Sequence, residues 1–291
     1  MFSQDNGIVS CFLMGGLGNQ LFQLFTTMAY SIRYRKKLVL PYSETLEIGI
    51  SRPTYWDTFL TYLKQYTTSN PEINKELAEF PQYREPHHHF KEIPPINHNA
   101  SIFGYYQSYK YFEDEFDKIM ALLNIHEKQR QITKEYSDYL DTNFTTISMH
   151  FRLGDYKEKQ EYHPIMPYEY YENALFNILL YRTYTNPYKV LYFCEKEDNN
   201  IVLEHIKNLK IQFPHVKFVK VDDEIEDWKQ LLIMSCCDNN IIANSSFSWW
   251  GGYFNKNPGK FVCYPHIWFG PNLKNNITDD MFPISWNHIK W

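Results

Sequence analysis

The 291-residue sequence has no long block of lysine and arginine, no Cys-x-x-Cys pair and no apolar run near the roughly 18 residues that cross a bilayer. Each absence closes off a class of function. With no basic block and a formal net charge of −5, a nucleic-acid backbone is not an expected partner, because such binding rests on clustered cations. The five cysteines, Cys11, Cys194, Cys236, Cys237 and Cys263, are odd in number, and two are adjacent. Three fall in apolar, strand-like runs, which reads as reduced, buried thiols and not as a disulfide framework or a zinc site. The first apolar run, residues 8–14, lacks the basic flank and cleavage site of a secretory leader. A soluble, cytoplasmic chain with no membrane span is expected. Internal repeats and low-complexity tracts are missing too.

What is abundant is aromatic. Hydrophobic residues make up 44% of the chain and aromatic residues 18%, with 24 Tyr and 21 Phe. Such a chain can bury a sizeable core and is not disordered. Its length suits two modest domains or one large one.

The chain opens as a strand–turn–helix–strand unit. An apolar run at residues 8–14 meets the turn Gly15-Gly16-Leu17-Gly18. Leu21, Leu24, Phe25, Met28, Ala29 and Ile32 then follow at helical spacing. Arg33, Arg35, Lys36 and Lys37 suit the negative end of that helix, and a second strand is expected at residues 38–41. Residues 43–100 are rich in proline, tyrosine and charge and predict loops and short helices. His87, His88 and His89 lie there, but three consecutive side chains cannot all face one metal. A strand at 101–106 and helices at 112–123 and 126–140 close the first half.

The second half alternates. Strands are expected at 146–153, 189–194, 217–221, 240–244 and 260–264, with helices at 167–184, 199–213, 227–237 and 247–255. This predicts α/β architecture with a parallel sheet covered on both faces. Ligands in such sheets bind beyond the carboxyl ends of the strands.

Three constellations there could carry chemistry. In the first, Gly16 and Gly18 match the first two glycines of a dinucleotide fingerprint. The third position is Leu21 and no acid follows at the right distance, which argues against an oxidoreductase. Asn19 and Gln20 at the helix start either meet a ligand or cap the helix. The second is ISMHFRLGDY, residues 147–156. Ser148, His150 and Arg152 share one face of a predicted strand, with Asp155 just past the Gly154 break. Polar residues on a buried parallel strand must be paired or line a cavity. Arg152 has the planar fork that suits a diphosphate; the alternative is a structural Arg152–Asp155 pair in a turn. The third is NSSFSWWGG, residues 244–252. It places Asn244, Ser245, Ser246, Phe247 and Ser248 where a strand gives way to a helix, and free N–H groups there suit an anion. An ordinary cap explains one serine but not the whole group. Asp222, after the strand at 217–221, reads equally as a partner for a base or ribose and as a metal ligand.

Together these residues resemble the GDP-fucose-dependent α1,2-fucosyltransferases. Gly15–Gln23 match that family's GGLGNQLFQ in full. His150, Arg152 and Asp155 match its His-x-Arg-Arg-x-Asp, with Leu153 replacing the second arginine. Asn244–Gly251 match its NSSFSWWGA, with Gly252 in place of alanine. The motifs lie at both ends, so the resemblance spans nearly the whole chain.

The resemblance implies a GT-B architecture, two Rossmann-like domains with parallel sheets facing across a cleft: residues 1–145 on the acceptor side and 146–291 binding the donor. It implies an inverting transfer of L-fucose from GDP-L-fucose to a glycan hydroxyl, O2 of a galactoside, with no cofactor and no divalent metal. No spaced Asp-x-Asp element contradicts the last point. Donor binding then falls to Gly16, Gly18, Asn19, Gln20, His150, Arg152, Asp222, Asn244, Ser245, Ser246, Phe247 and Ser248. Catalysis falls to Arg152, Asp155 and His150; Asp155 is the first-choice base, with His150, Glu158 and Glu161 behind it. Leu153 keeps open a transferase of the same fold with another nucleotide-deoxyhexose. A non-catalytic nucleotide-sugar binder is the reading from another class. Tyr55, Trp56, Tyr105 and Tyr106 are either core or platforms for an acceptor sugar.

Overall fold

The computed structural model describes residues 7–47, 50–181 and 185–291. The chain forms two compact units, Met1–His126 with Asn276–Pro283, and Glu127–Asn275 with Ile284–Trp291.

In unit 1, β1 (Ile8–Cys11) leads through the glycine turn into α1 (Leu17–Tyr34) and on to β2 (Lys37–Leu38). Short strands follow, β3 (Leu40–Pro41), β4 (Thr45–Leu46), β5 (Arg52–Pro53) and β6 (Thr67–Thr68). Then come α2 (Pro71–Glu79), β7 (Gln82–Arg84), β8 (Ala100–Phe103) and α3 (Phe116–Leu122). The main sheet is parallel, in the order β2-β1-β8-β7. α1 is buried almost continuously from Leu17 to Tyr30, as expected of a helix inside a domain. Phe25 packs on Phe112 and Phe116, ring centroids 5.5 and 5.8 Å away. α1 ends at Arg35, which takes the left-handed conformation at φ 54°. Of the expected basic cluster only Arg33 therefore lies in the last turn. The Lys36 ammonium is buried against the His98 carbonyl, 2.8 Å away. Residues 276–283 pack into this unit: Asp280 accepts from the Phe90 amide at 2.7 Å.

Unit 2 holds all but the first two residues of α4 (Ile125–Glu135), and the chain runs on through β9 (Thr145–His150), α5 (Tyr168–Tyr181) and β10 (Tyr188–Phe193). It continues through α6 (Asn199–Gln212), β11 (Lys217–Lys220), α7 (Asp227–Cys236) and β12 (Asn239–Ile241). It ends with α8 (Ser246–Phe254), β13 (Val262–Pro265) and β14 (Asn287–Ile289). The expected helix 167–184 runs to Tyr181, and its last residues lie outside those described. The six strands are all parallel, in the order β11-β10-β9-β12-β13-β14. Numbered within the unit this is 3-2-1-4-5-6, the Rossmann order, whose direction reverses between β9 and β12.

The core of unit 2 contains Ile147, Met149, Phe151, Val190, Ile241 and Cys263. Trp249 and Trp250 are fully buried on α8. A β-carbon at Gly251 would lie 2.8 Å from the Met234 side chain, so glycine there sets how closely α8 approaches α7. A buried polar chain stiffens the sheet centre: the Asn240 amide donates to Ser148 Oγ, and the Asn255 amide to Asn240 Oδ1, each at 2.8 Å. All five cysteines are unbridged, and four are buried.

Candidate active site

The reversal point in unit 2 is where the sequence places its second and third constellations. The expected strand 146–153 stops at His150. Its ladder with β12 ends at Met149, and the last bond to β10 goes from the Phe151 amide to Phe193, 2.8 Å. Beyond that no neighbouring strand continues, so 151–153 leave the sheet. The polar face of β9 resolves into three cases. Ser148 is paired, with Asn240. His150 is buried and its Nδ1 has no hydrogen-bond partner among the described residues; its ring lies 5.6 Å from Phe247. Burial, helped by the nearby Arg152 and Lys220 charges, lowers its pKa to about 3, so the imidazole is neutral at physiological pH. Arg152 is largely buried and binds two carboxylates, Asp155 and Glu195.

Burial opposes the Arg152 charge, but Glu195, Tyr156 and Asp155 more than offset it and its pKa is raised. Burial likewise opposes the Asp155 charge, yet Arg152 and Lys159 hold its pKa below the ordinary value. Lys159 lies 3.4 Å from Asp155. Tyr156 lies under the guanidinium, 5.0 Å from ring centre to Arg152 Cζ. Gly154, at φ 40°, makes this crowding possible: a β-carbon there would lie 2.5 Å from Glu195 Oε2. Its N–H donates to the buried Asp198, 2.8 Å, which also pairs with Lys157. Leu153, where the family has a second arginine, points into the apolar core. The chain therefore carries no cation at that position.

Across the reversal, Ser245 is the N-cap of α8, extended at φ −137°, and its side chain makes no capping bond. The first-turn amides of α8 are therefore not covered by the residue best placed to do so. Ser248 is buried and its hydroxyl turns back to the Ser245 carbonyl, 3.4 Å; it adds no outward donor. Asn244 is also turned inward, its amide donating to the Pro164 and Trp268 carbonyls at 2.8 and 3.2 Å. Ser246 and Phe247 are half-buried on the first turn. Asp222 lies past β11, the outermost strand, with β10 between it and β9. It is exposed and accepts from the Glu224 amide at 3.0 Å.

Gly16, Gly18, Asn19 and Gln20 lie in unit 1, past the carboxyl end of β1. Gln20 is fully buried and its amide donates to the Gly15 and Pro53 carbonyls, each at 2.9 Å, so it shapes the turn. The Asn19 oxygen accepts from Gln107 at 2.8 Å. Gly16 has an ordinary φ of −75°, and among the described residues a β-carbon there would meet nothing within 4 Å. Packing within the chain thus gives no reason for glycine at that position. Of the aromatic candidates, Tyr55, Trp56 and Tyr106 are core, whereas Tyr105 is 41% exposed. Its turn is fixed by Glu85, which accepts from the Tyr105 and Tyr106 amides at 2.8 and 3.0 Å; burial pushes this carboxyl up to about 7. His87 and His89 stack on one another, and among the described residues no three His, Cys, Asp or Glu side chains group as metal ligands.

Sequence reasoning missed Glu195, Tyr156 and Glu85. Glu195 and Glu85 each follow a strand that ends at a carboxyl edge, so the rule of searching strand ends could have found Glu195. The strand before Glu85 is only three residues long and shows no period of its own.

The fold is shared with a solved heptosyltransferase. The chain superposes on the ADP-heptose LPS heptosyltransferase II of Escherichia coli with a TM-score of 0.52, covering 98% of this chain and 90% of that one at 10% identity. This is a GT-B fold of two Rossmann-like units, and the class is glycosyltransferase. The chain belongs to glycosyl transferase family 11, whose model matches residues 3–290. It is 27% identical to the O-antigen biosynthesis glycosyltransferase WbnK of Escherichia coli, over 64% of this chain and 60% of that protein. It is 26% identical to an Escherichia coli alpha-1,2-colitosyltransferase, over 97% of this chain and 99% of that one. Among the described residues no helix is long and apolar enough to cross a membrane.

Proposed function

We propose that the chain transfers L-fucose, with inversion, from GDP-L-fucose to a glycan hydroxyl, O2 of a galactoside, and needs no divalent metal. The donor diphosphate sits past the carboxyl ends of β9 and β12. The observation that carries this is the meeting, at the chain reversal, of Arg152 with a helix start whose N-cap side chain makes no capping bond. An arginine fork and first-turn amides are both anion ligands, and they are set at the point where Rossmann sheets bind nucleotides. The three motifs shared with the GDP-fucose enzymes supply the choice of donor.

The acceptor oxygen forms a bond to C1 of the sugar as the bond from C1 to the diphosphate oxygen breaks; that electron pair leaves with GDP, and the hydroxyl proton is released to water. Negative charge grows on GDP, and Arg152 with the α8 amides stabilises it. His150 and Asp155 both have depressed pKa values. Each is therefore a weak proton acceptor, and the main catalytic contribution comes from stabilising the leaving group. His150 Nδ1, neutral and without a partner, serves as a hydrogen-bonding group for the donor. Ser245, Ser246 and Phe247 form the rim of the site; Asn244 and Ser248 hold the turn in shape. Asp222 remains a candidate for the ribose. In unit 1, the open backbone at Gly16 and the adjoining Gly18 and Asn19 form a second substrate contact, which Gln20 supports from below.

Arg152→Ala is expected to lower transfer by about 10²-fold or more, the usual cost of removing a transition-state charge contact. Near-normal turnover of GDP-fucose by that variant would rule out the assigned role. Transfer should also continue in EDTA; activity that stops and returns only with Mn²⁺ contradicts metal independence.

A second reading has the same chemistry with a colitosyl donor, favoured by the relative that aligns over 97% of this chain. Competition between GDP-fucose and GDP-colitose in one reaction separates the two.

A further inference from the structure

We infer that Tyr156 is a positioning residue that holds the Arg152 guanidinium and the β12–α8 turn in one fixed arrangement. The inference rests on the donor-site reading above and adds a residue to it that touches neither sugar nor phosphate.

The need for such a residue follows from where the sheet stops. Hydrogen bonding along β9 ends at Phe151, and along β12 at Ile242, whose amide donates to Cys263 at 3.0 Å. Arg152 and Ser245 both lie beyond those points, so the ladder does not set the distance between them. A diphosphate clamp works only when its parts hold their geometry to about 0.5 Å. Tyr156 bridges the two segments. Its hydroxyl donates to the Asn244 carbonyl, 3.1 Å, immediately before the N-cap of α8. Its ring carries Arg152 at 5.0 Å, and a guanidinium over an aromatic face is held in plane as well as in place.

The tyrosine is anchored in turn. Its ring stacks on His163, with centroids 4.8 Å apart and planes 20° apart. The Asn244 amide reaches the carbonyl of Pro164, the residue after His163, and that of Trp268, the residue before Phe269. The His163 ring lies 5.9 Å from Phe269. Three loops thus converge on one turn with Tyr156 among them. Burial pushes its phenol up to about 12, so the hydroxyl remains a donor across the working range of pH. Arg152 also binds two carboxylates on separate loops; the ring fixes the plane in which those bonds can be exchanged for phosphate oxygens.

The test uses the full chain as parent, Tyr156→Phe and Tyr156→Leu, each also combined with Arg152→Ala. GDP affinity is read by calorimetry, kcat and KM by donor turnover, and folding by Tm. Tyr156→Phe should weaken GDP by about threefold and raise donor KM with little change in Tm. Tyr156→Leu should lose about tenfold more than Tyr156→Phe, because the ring under Arg152 is gone. In the Arg152→Ala background that difference should fall within about twofold, since contacting residues are coupled and their effects do not add. A Leu-to-Phe ratio that persists in the Arg152→Ala background overturns the inference, as does a Tyr156→Phe variant with unaltered GDP affinity. If Arg152→Ala itself binds GDP like the parent, the donor-site reading fails, and the inference with it.

Discussion

At the scale of single residues, polarity in the sequence shows that a side chain needs a partner but not where that partner lies. Gln20, Asn244 and Ser248 all sit in motifs that read as ligand-binding, and all three turn to main-chain carbonyls. His150 and Arg152 are the opposite case, legible because a polar residue on a buried parallel strand demands an explanation. His150 also makes stability depend on pH. Its pKa is about 3 in the folded chain and near 6.5 when unfolded. Below about pH 6.5 the unfolded chain takes up a proton that the native chain refuses. The stabilisation is present above that pH and is lost as pH falls toward 3, an effect on the order of a few kcal/mol. Urea denaturation from pH 7.5 down to 4.5 should show a shallower loss in His150→Phe than in the parent; equal slopes contradict the assignment. Gly16 offers the complementary test. Gly16→Ser supplies a better N-cap and meets no neighbour, so Tm should hold or rise. Transfer activity should nevertheless fall, and full activity would remove the substrate contact assigned to that backbone.

At the scale of elements, the first five strands of unit 2 were legible because each is a short run of strand formers set between helical patterns. β10 and β11 fall within a residue of their expected positions. β7 and β14, three residues each, were not. A strand that short, at the edge of its sheet, shows no period against its surroundings. α2 is one of the short helices expected in residues 43–100, but its bounds were not assigned, although Pro71 begins the helix and Asn70 caps it. The Gly251-Gly252 pair was visible only as part of a motif; the structure shows it to be a packing device. Gly251→Val drives a branched side chain into Met234 of α7, and should destabilise the chain by about 1–3 kcal/mol, the usual cost of overpacking. Chemical denaturation measures this, and an unchanged midpoint would show that α7 and α8 can separate at no cost.

At the scale of the whole molecule, the α/β class was legible from the alternation of strands and helices, whereas strand order was not. The 3-2-1-4-5-6 order brings residues 150–155 beside residues 244–248, and no local pattern encodes that adjacency. The return of Asn276–Pro283 to unit 1 is equally invisible, because it rests on bonds such as that from the Phe90 amide to Asp280, 190 positions away. The proposed anion site is a product of topology, and motifs far apart in the chain become one place only once the sheet is ordered. The most direct measurement is calorimetric titration of the full chain, parent and Arg152→Ala, with GDP, UDP, dTDP and NAD in the presence of EDTA. The expected result is a clear preference of the parent for GDP, lost in Arg152→Ala. Preference for NAD or another nucleotide, or GDP binding that survives loss of the guanidinium, would contradict it.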